Sequence, residues 1–160
     1  MDLEKEKETN SRGEMVMKIE HLLQAYKLNN IEAELKEMNQ GNERAGVITF
    51  ANGISASYLL DNEEIVIVMK IFFNCLTTDL LKIQNQLSYV IKVINIMQKT
   101  IMLLSNITQK ETNIILESLG LFDNTFTEGK QIKHIDHTYK IEVIDGLLCL
   151  SINEIELLKG

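Results

Sequence analysis

The chain has 160 residues, of which 45% are hydrophobic and 24% charged, and it carries a formal net charge of -7. That is enough for one domain with a real apolar core. The acidity argues against direct binding to nucleic acid or to an anionic membrane surface, because phosphate recognition needs concentrated Lys and Arg. Only Cys75 and Cys149 are present, far apart and outside any CxxC pattern, so no disulfide framework is expected and a reducing, cytoplasmic setting is the default. Met1 to Asn10 is charged rather than apolar, so no signal peptide is expected. The alternative location is extracytoplasmic and tethered, with the charged start as the remnant of a tether. Asn106-Ile107-Thr108 matches a glycosylation sequon, which matters only if the chain is exported.

Residues 1–13 alternate acid and base with little apolar content and read as a disordered segment, leaving residues 14–160 as a single domain. Within residues 14–28, Met15, Ile19, Leu22, Leu23 and Tyr26 mark one face of an amphipathic helix. Asn29-Asn30 ends it, and residues 31–38 are expected to form a short second helix or an extension of the first. Residues 40–44 form a polar loop.

Three strands follow. Residues 47–51 and 54–60 flank Asn52-Gly53, a dipeptide that tolerates the positive φ angles of a tight turn and pairs Phe50 with Ser55 and Ile48 with Ser57. Neither face of that pairing is purely apolar. Residues 64–73 are apolar on both faces, as expected of a covered central strand.

The longest helix is expected over residues 79–104. One stripe contains Leu80, Ile83, Leu87, Val90, Ile91, Ile94, Met97, Ile101 and Leu104; a second contains Tyr89, Val93, Ile96, Thr100 and Leu103. Its wet face is narrow, so the helix must cover its own sheet and one further surface. That surface is either another helix of the domain, at residues 14–28 or 108–120, or a dimer seam or docked client at Tyr89, Val93 and Ile96. The lysines at positions 82, 92 and 99 argue against a membrane span.

Thr108-Gln109-Lys110-Glu111 is a capping box, in which the Thr108 hydroxyl accepts from a free backbone N–H. The helix it starts runs to Gly120, a residue suited to a left-handed stop. Residues 121–130 form a polar loop with two aromatics, Phe122 and Phe126. Aromatics are enriched at binding hot spots, which makes these two candidate contact residues as well as candidate anchors of the loop. A second hairpin turns at Asp145-Gly146 and sets Tyr139, Ile141 and Val143 opposite Ile152, Leu150 and Leu148 on one apolar face. Lys140, Glu142, Cys149 and Ser151 fall on the other face, which should be wet or interfacial. Residues 153–159 make a short helical or frayed tail.

These elements give an α+β fold: an antiparallel sheet of about five strands, a three-strand meander plus the C-terminal hairpin, with helices packed on one face. The order of elements is similar to that of the secretion-chaperone fold, whose members are small acidic dimers that wrap an unfolded client. The likeness is one of order alone, and the helix at residues 108–120 is additional.

Chemistry-bearing motifs are few. Gly41 to Gly46 has the outer spacing of a phosphate-binding loop, but Val47-Ile48 stands where Lys and Ser or Thr are required. Gly53-Ile54-Ser55-Ala56-Ser57 begins like a nucleophile elbow and ends in Ser57, inside a hairpin. His134-Ile135-Asp136-His137 is the one run of metal-ligating residues; on a strand, His134 and Asp136 share a face and His137 points away, so a surface strand is the favoured reading over a metal site. No paired carboxylates or activated thiol are apparent. The expectation is a non-enzymatic protein-binding module, an inhibitor, immunity protein or chaperone-like adaptor that acts through an acidic, partly apolar surface without cofactor or metal. A homodimer is compatible with it. The alternative is a tethered extracytoplasmic binding domain, and an enzyme would be sought first at His134, Asp136 and His137.

Overall fold

The computed structural model describes residues 8–9, 15–16, 18–38, 44–61, 64–74, 80–121, 129–134 and 137–154. In chain order the elements are β1 (Glu8–Thr9), β2 (Met15–Val16), α1 (Ile19–Leu28), β3 (Ala33–Glu37), β4 (Arg44–Phe50), β5 (Ser55–Leu60), β6 (Val66–Phe73), α2 (Leu80–Ser105), α3 (Gln109–Ser118), β7 (Gln131–His134), β8 (His137–Ile144) and β9 (Leu147–Glu154). β1 and β2 pair only with each other, so the first helix begins later than its apolar spacing predicts and part of the charged start forms a short ladder. The other strands form one antiparallel sheet of seven in the order β3-β4-β5-β6-β9-β8-β7. β6, expected to be the central strand, lies at its middle.

The α+β class and the antiparallel sheet are as expected, with two more strands than foreseen: seven against about five. One addition, β3, replaces the short helix expected over residues 31–38. Glu, Ala, Leu and Lys favour helix, but Ile31, Ala33 and Leu35 alternate with Glu32, Glu34 and Lys36. Pairing with β4 (Ala33 with Phe50, Leu35 with Ile48) therefore buries one side of the strand and outweighs the propensity. The other addition, β7, pairs with β8 from Gln131 to His134 and forms the opposite edge.

The first hairpin is one residue out of the expected register. A short 3-10 turn spans Ala51–Gly53, with Gly53 at φ 78° and the Phe50 N–H donating to the Ile54 carbonyl at 2.8 Å. The loop is thus one residue longer than Asn52-Gly53 alone. Ile48 pairs with Ala56 and Gly46 with Tyr58, where Ser57 had been expected opposite Ile48. A one-residue slip exchanges the faces of a strand, and this register is the one that places Ile48, Phe50, Ala56 and Tyr58 together on the buried side. The C-terminal hairpin has the expected register, with Tyr139, Ile141 and Val143 paired to Ile152, Leu150 and Leu148 and with Asp145 and Gly146 at positive φ.

The helices cover one face of the sheet. Its row Ile48–Ala56–Ile71–Leu150–Ile141 is buried along its length and meets Leu22, Tyr26, Val93, Met97, Ile101, Ile115 and Leu116 from the helices. On the opposite face, expected to be wet or interfacial, Lys140 and Glu142 are half-exposed while Cys149 and Ser151 are buried. Long neighbours account for this. Cys149 sits between Phe72 and Glu142, and the Glu142 carboxylate reaches both Lys140 (3.3 Å) and Lys70 (4.0 Å) over the small side chains.

Helix ends are closed by left-handed residues. Asn30 (φ 60°) follows α1, with Ile31 N–H returning to the Tyr26 carbonyl at 2.9 Å; Gly120 (φ 82°) follows α3, with Leu121 N–H returning to Leu116 at 3.1 Å. Thr108 caps α3 as expected by accepting from Glu111 N–H at 3.1 Å, and its hydroxyl donates to the Glu111 carboxylate at 3.2 Å.

Candidate functional site

α2 is the element on which a surface can be built, because its apolar residues exceed what one packing face absorbs. Two buried hydroxyls fix its rotation. Thr100 donates to the Ile96 carbonyl at 2.6 Å, and Tyr26 of α1 meets the same Thr100 oxygen at 2.5 Å. Tyr26 also packs edge-on against Phe50 of β4, with ring centroids 5.2 Å apart. Burial holds the Tyr26 phenol far above its ordinary titration range. Nearer the start of the helix, the Tyr89 hydroxyl accepts from the Asn74 N–H at 2.7 Å and ties α2 to the end of β6.

With the helix so rotated, the stripe of Val93, Ile96, Thr100 and Leu103 faces the core. Val93 is 0% and Ile96 4% exposed, and Tyr89 is half-buried. These three contact candidates therefore pack within the chain, against its core, and the exposed apolar positions are Leu87 and Ile91 of the other stripe, whose Met97, Ile101 and Leu104 are also buried. Leu87 is 51% and Ile91 57% exposed, one turn apart. Farther along the same face, Gln98 donates to Asn113 of α3 at 2.7 Å. α3 thus meets the second half of that stripe, while Leu87 and Ile91 before it stay exposed. The residues Leu87–Ser105 are apolar enough to cross a membrane by length and composition, with mean hydropathy 1.3; in this fold Val93, Met97, Ile101 and Leu104 spend that apolarity on the core.

Beside the open stripe lies a cavity of about 210 Å³, where the end of α1, the start of β3, the end of β4 and the middle of α2 meet. Its polar lining is Asn30, Glu32, Lys92 and Asn95, and its apolar lining is Ile31, Phe50, Ala51 and Ile96. Three carboxylates, Glu32, Glu34 and Glu37, are exposed along the approach to and length of the edge strand β3. Apolar, basic and acidic surface therefore adjoin here. Sequence spacing alone could reveal the two stripes of α2, but not that Leu87 and Ile91 are the positions left exposed.

The remaining candidates fall elsewhere. Phe122, Phe126, Cys75 and Asp136 lie outside the described residues. His134 and His137 are not successive positions of one strand; they are paired across the β7–β8 hairpin and so share a face. The Glu111 carboxylate stands 3.5 Å from His134 Nε2. Among the described residues, no group of three metal-ligating side chains converges. Burial, with Glu142 adding to it and Lys70 opposing, pushes the Cys149 thiol up to about 12, so the thiol stays protonated and poorly nucleophilic. Ser55 and Ser57 lie within β5, away from any strand-to-helix turn. Comparison with protein-family models, with curated proteins and with solved structures finds no match to this chain.

Proposed function

We propose that the chain is a non-catalytic protein-binding module, an inhibitor, immunity protein or chaperone-like adaptor, that meets its partner with the outward half of α2. The observation that carries this reading is the exposure of Leu87 and Ile91 on the stripe that α3 meets farther along. Large aliphatic side chains held in water forgo about 1.5–3 kcal/mol each relative to full burial, a return available to any partner that covers them. The adjoining cavity supplies polar groups that orient such a partner, and Glu32, Glu34 and Glu37 supply the acidic part of the surface. A segment laid along α2 is a helix-in-groove mode of recognition, read through residues one turn apart.

The paired substitution Leu87→Asp and Ile91→Asp tests the reading by affinity capture from the source cell, with mass spectrometry as the readout. The doubly substituted protein should keep its circular dichroism spectrum and lose a stoichiometric partner that the parent protein retains. Equal recovery of that partner by both proteins would sink the proposal.

A further inference from the structure

We infer that the segment docking on α2 is itself acidic and amphipathic, with carboxylates that meet Lys92 and Lys99 and apolar residues that cover Leu87 and Ile91; this rests on the protein-binding reading above. The charge pattern of α2 differs from that of the chain as a whole. The chain holds 23 acidic against 16 basic residues, yet its longest helix, 26 residues, contains Lys82, Lys92 and Lys99 and no Asp or Glu. At roughly 100° per residue, Lys92 and Lys99 both stand about a quarter turn around the helix from Ile91, with Ser88 and Asn95 nearby. Lys92 is exposed and Lys99 half-exposed. The outward face therefore has an apolar edge, an uncharged centre and a basic edge.

That arrangement is not self-complementary along α2: in a two-fold pairing of the helices each copy brings lysines and neither brings a carboxylate from the helix, which has none. It selects for a segment in which acidic residues flank an aliphatic stripe. On the cavity side, Lys92 and Asn95 offer donors, while Glu32 disfavours an acidic group reaching past them.

The test uses a fluorescein-labelled, helix-forming peptide of about 18 residues, with Leu at helical spacing and Glu on both flanks, and its twin with Lys at every Glu position. Anisotropy at about 50 mM salt should show the Glu peptide binding the full chain at least about tenfold more tightly than the Lys peptide, with the gap closing as salt is raised. Lys92→Glu combined with Lys99→Glu should reverse the preference, and the milder pair Lys92→Gln and Lys99→Gln should narrow it; circular dichroism checks both folds. Equal binding of the two peptides, or binding of neither, overturns the inference. So does concentration-dependent self-association that Ile91→Asp abolishes. If neither peptide binds but the Asp substitutions on α2 still abolish partner capture, the charge assignment falls and the binding-module reading stands; if capture survives those substitutions, both fall.

Discussion

Thr100→Val removes one oxygen from the junction that sets the rotation of α2, and its cost can be worked from the hydrogen bonds. Thr100 has a single hydroxyl proton, which it gives to the Ile96 carbonyl at 2.6 Å, so at their 2.5 Å contact Tyr26 is the donor and Thr100 the acceptor. Both residues are 0% exposed. Valine keeps the shape and deletes the acceptor, which strands the Tyr26 hydroxyl in apolar surroundings at a cost of about 1–3 kcal/mol. For a chain of this size each kcal/mol lowers Tm by roughly 2–4 °C. Tyr26→Phe should cost less, about 0.5–1.5 kcal/mol, because Thr100 keeps its bond to the carbonyl and no buried group is orphaned. The double variant, with both hydroxyls gone, should be less destabilised than the sum of the two, and a double-mutant cycle from urea denaturation measures the difference. If Thr100→Val costs under about 0.5 kcal/mol, or the two effects simply add, the assignment of donor and acceptor is wrong.

Three further outcomes are expected. Gly46→Ala should destabilise by about 1–3 kcal/mol, since a Cβ there would run into the Tyr58 ring and lie 2.7 Å from the Lys36 carbonyl; an unchanged thermal melt would contradict that packing. Burial pushes the Cys149 thiol and the Tyr139 phenol up to about 12, from 9.0 and 10.0. Groups protonated longer in the folded state contribute stability that is fully present below their unfolded pKa and lost as pH rises toward the folded one. Tm should therefore be insensitive to these groups below pH about 9 and fall between about 9 and about 12, and a Tm that stays flat across that window would refute the burial argument. Finally, Val93→Asp should prevent folding, because it buries an unpaired carboxylate, while Ile91→Asp should leave a cooperative urea transition close to that of the parent chain. The reverse pattern would mean that α2 presents its other stripe.

Where the sequence could be read and where it misled follows the range of the interaction that decides each feature. The Thr108 cap, the Gly120 stop and the Asp145-Gly146 turn each rest on residues within a few positions of one another, and each forms as expected. Residues 31–38 misled because helix-favouring side chains carry a strand's alternation, and the partner that decides between them, β4, is supplied by the fold. At Asn52-Gly53 the turn began one residue early, and burial of Ile48 and Phe50 chose that register. The histidine run misled because a hairpin, not one strand, holds it, which brings His134 and His137 to the same face.

By itself the sequence determined the class of fold, the central strand, the long helix, the second hairpin and its register. Periodicity and turn chemistry act through neighbours along the chain, so one dimension suffices to read them. It also determined that the long helix is too apolar for one packing face. Only the tertiary structure decided which residues of the two stripes are spent on the core: Val93, Ile96 and Thr100 of one, and Met97, Ile101 and Leu104 of the other. Tyr26, remote in sequence and packed on Phe50, meets Thr100 and turns that side of α2 inward, while Leu87 and Ile91 stay exposed ahead of the Gln98–Asn113 bond to α3. The rotation of a helix is set by what packs against it, and that information lies in the other elements of the chain.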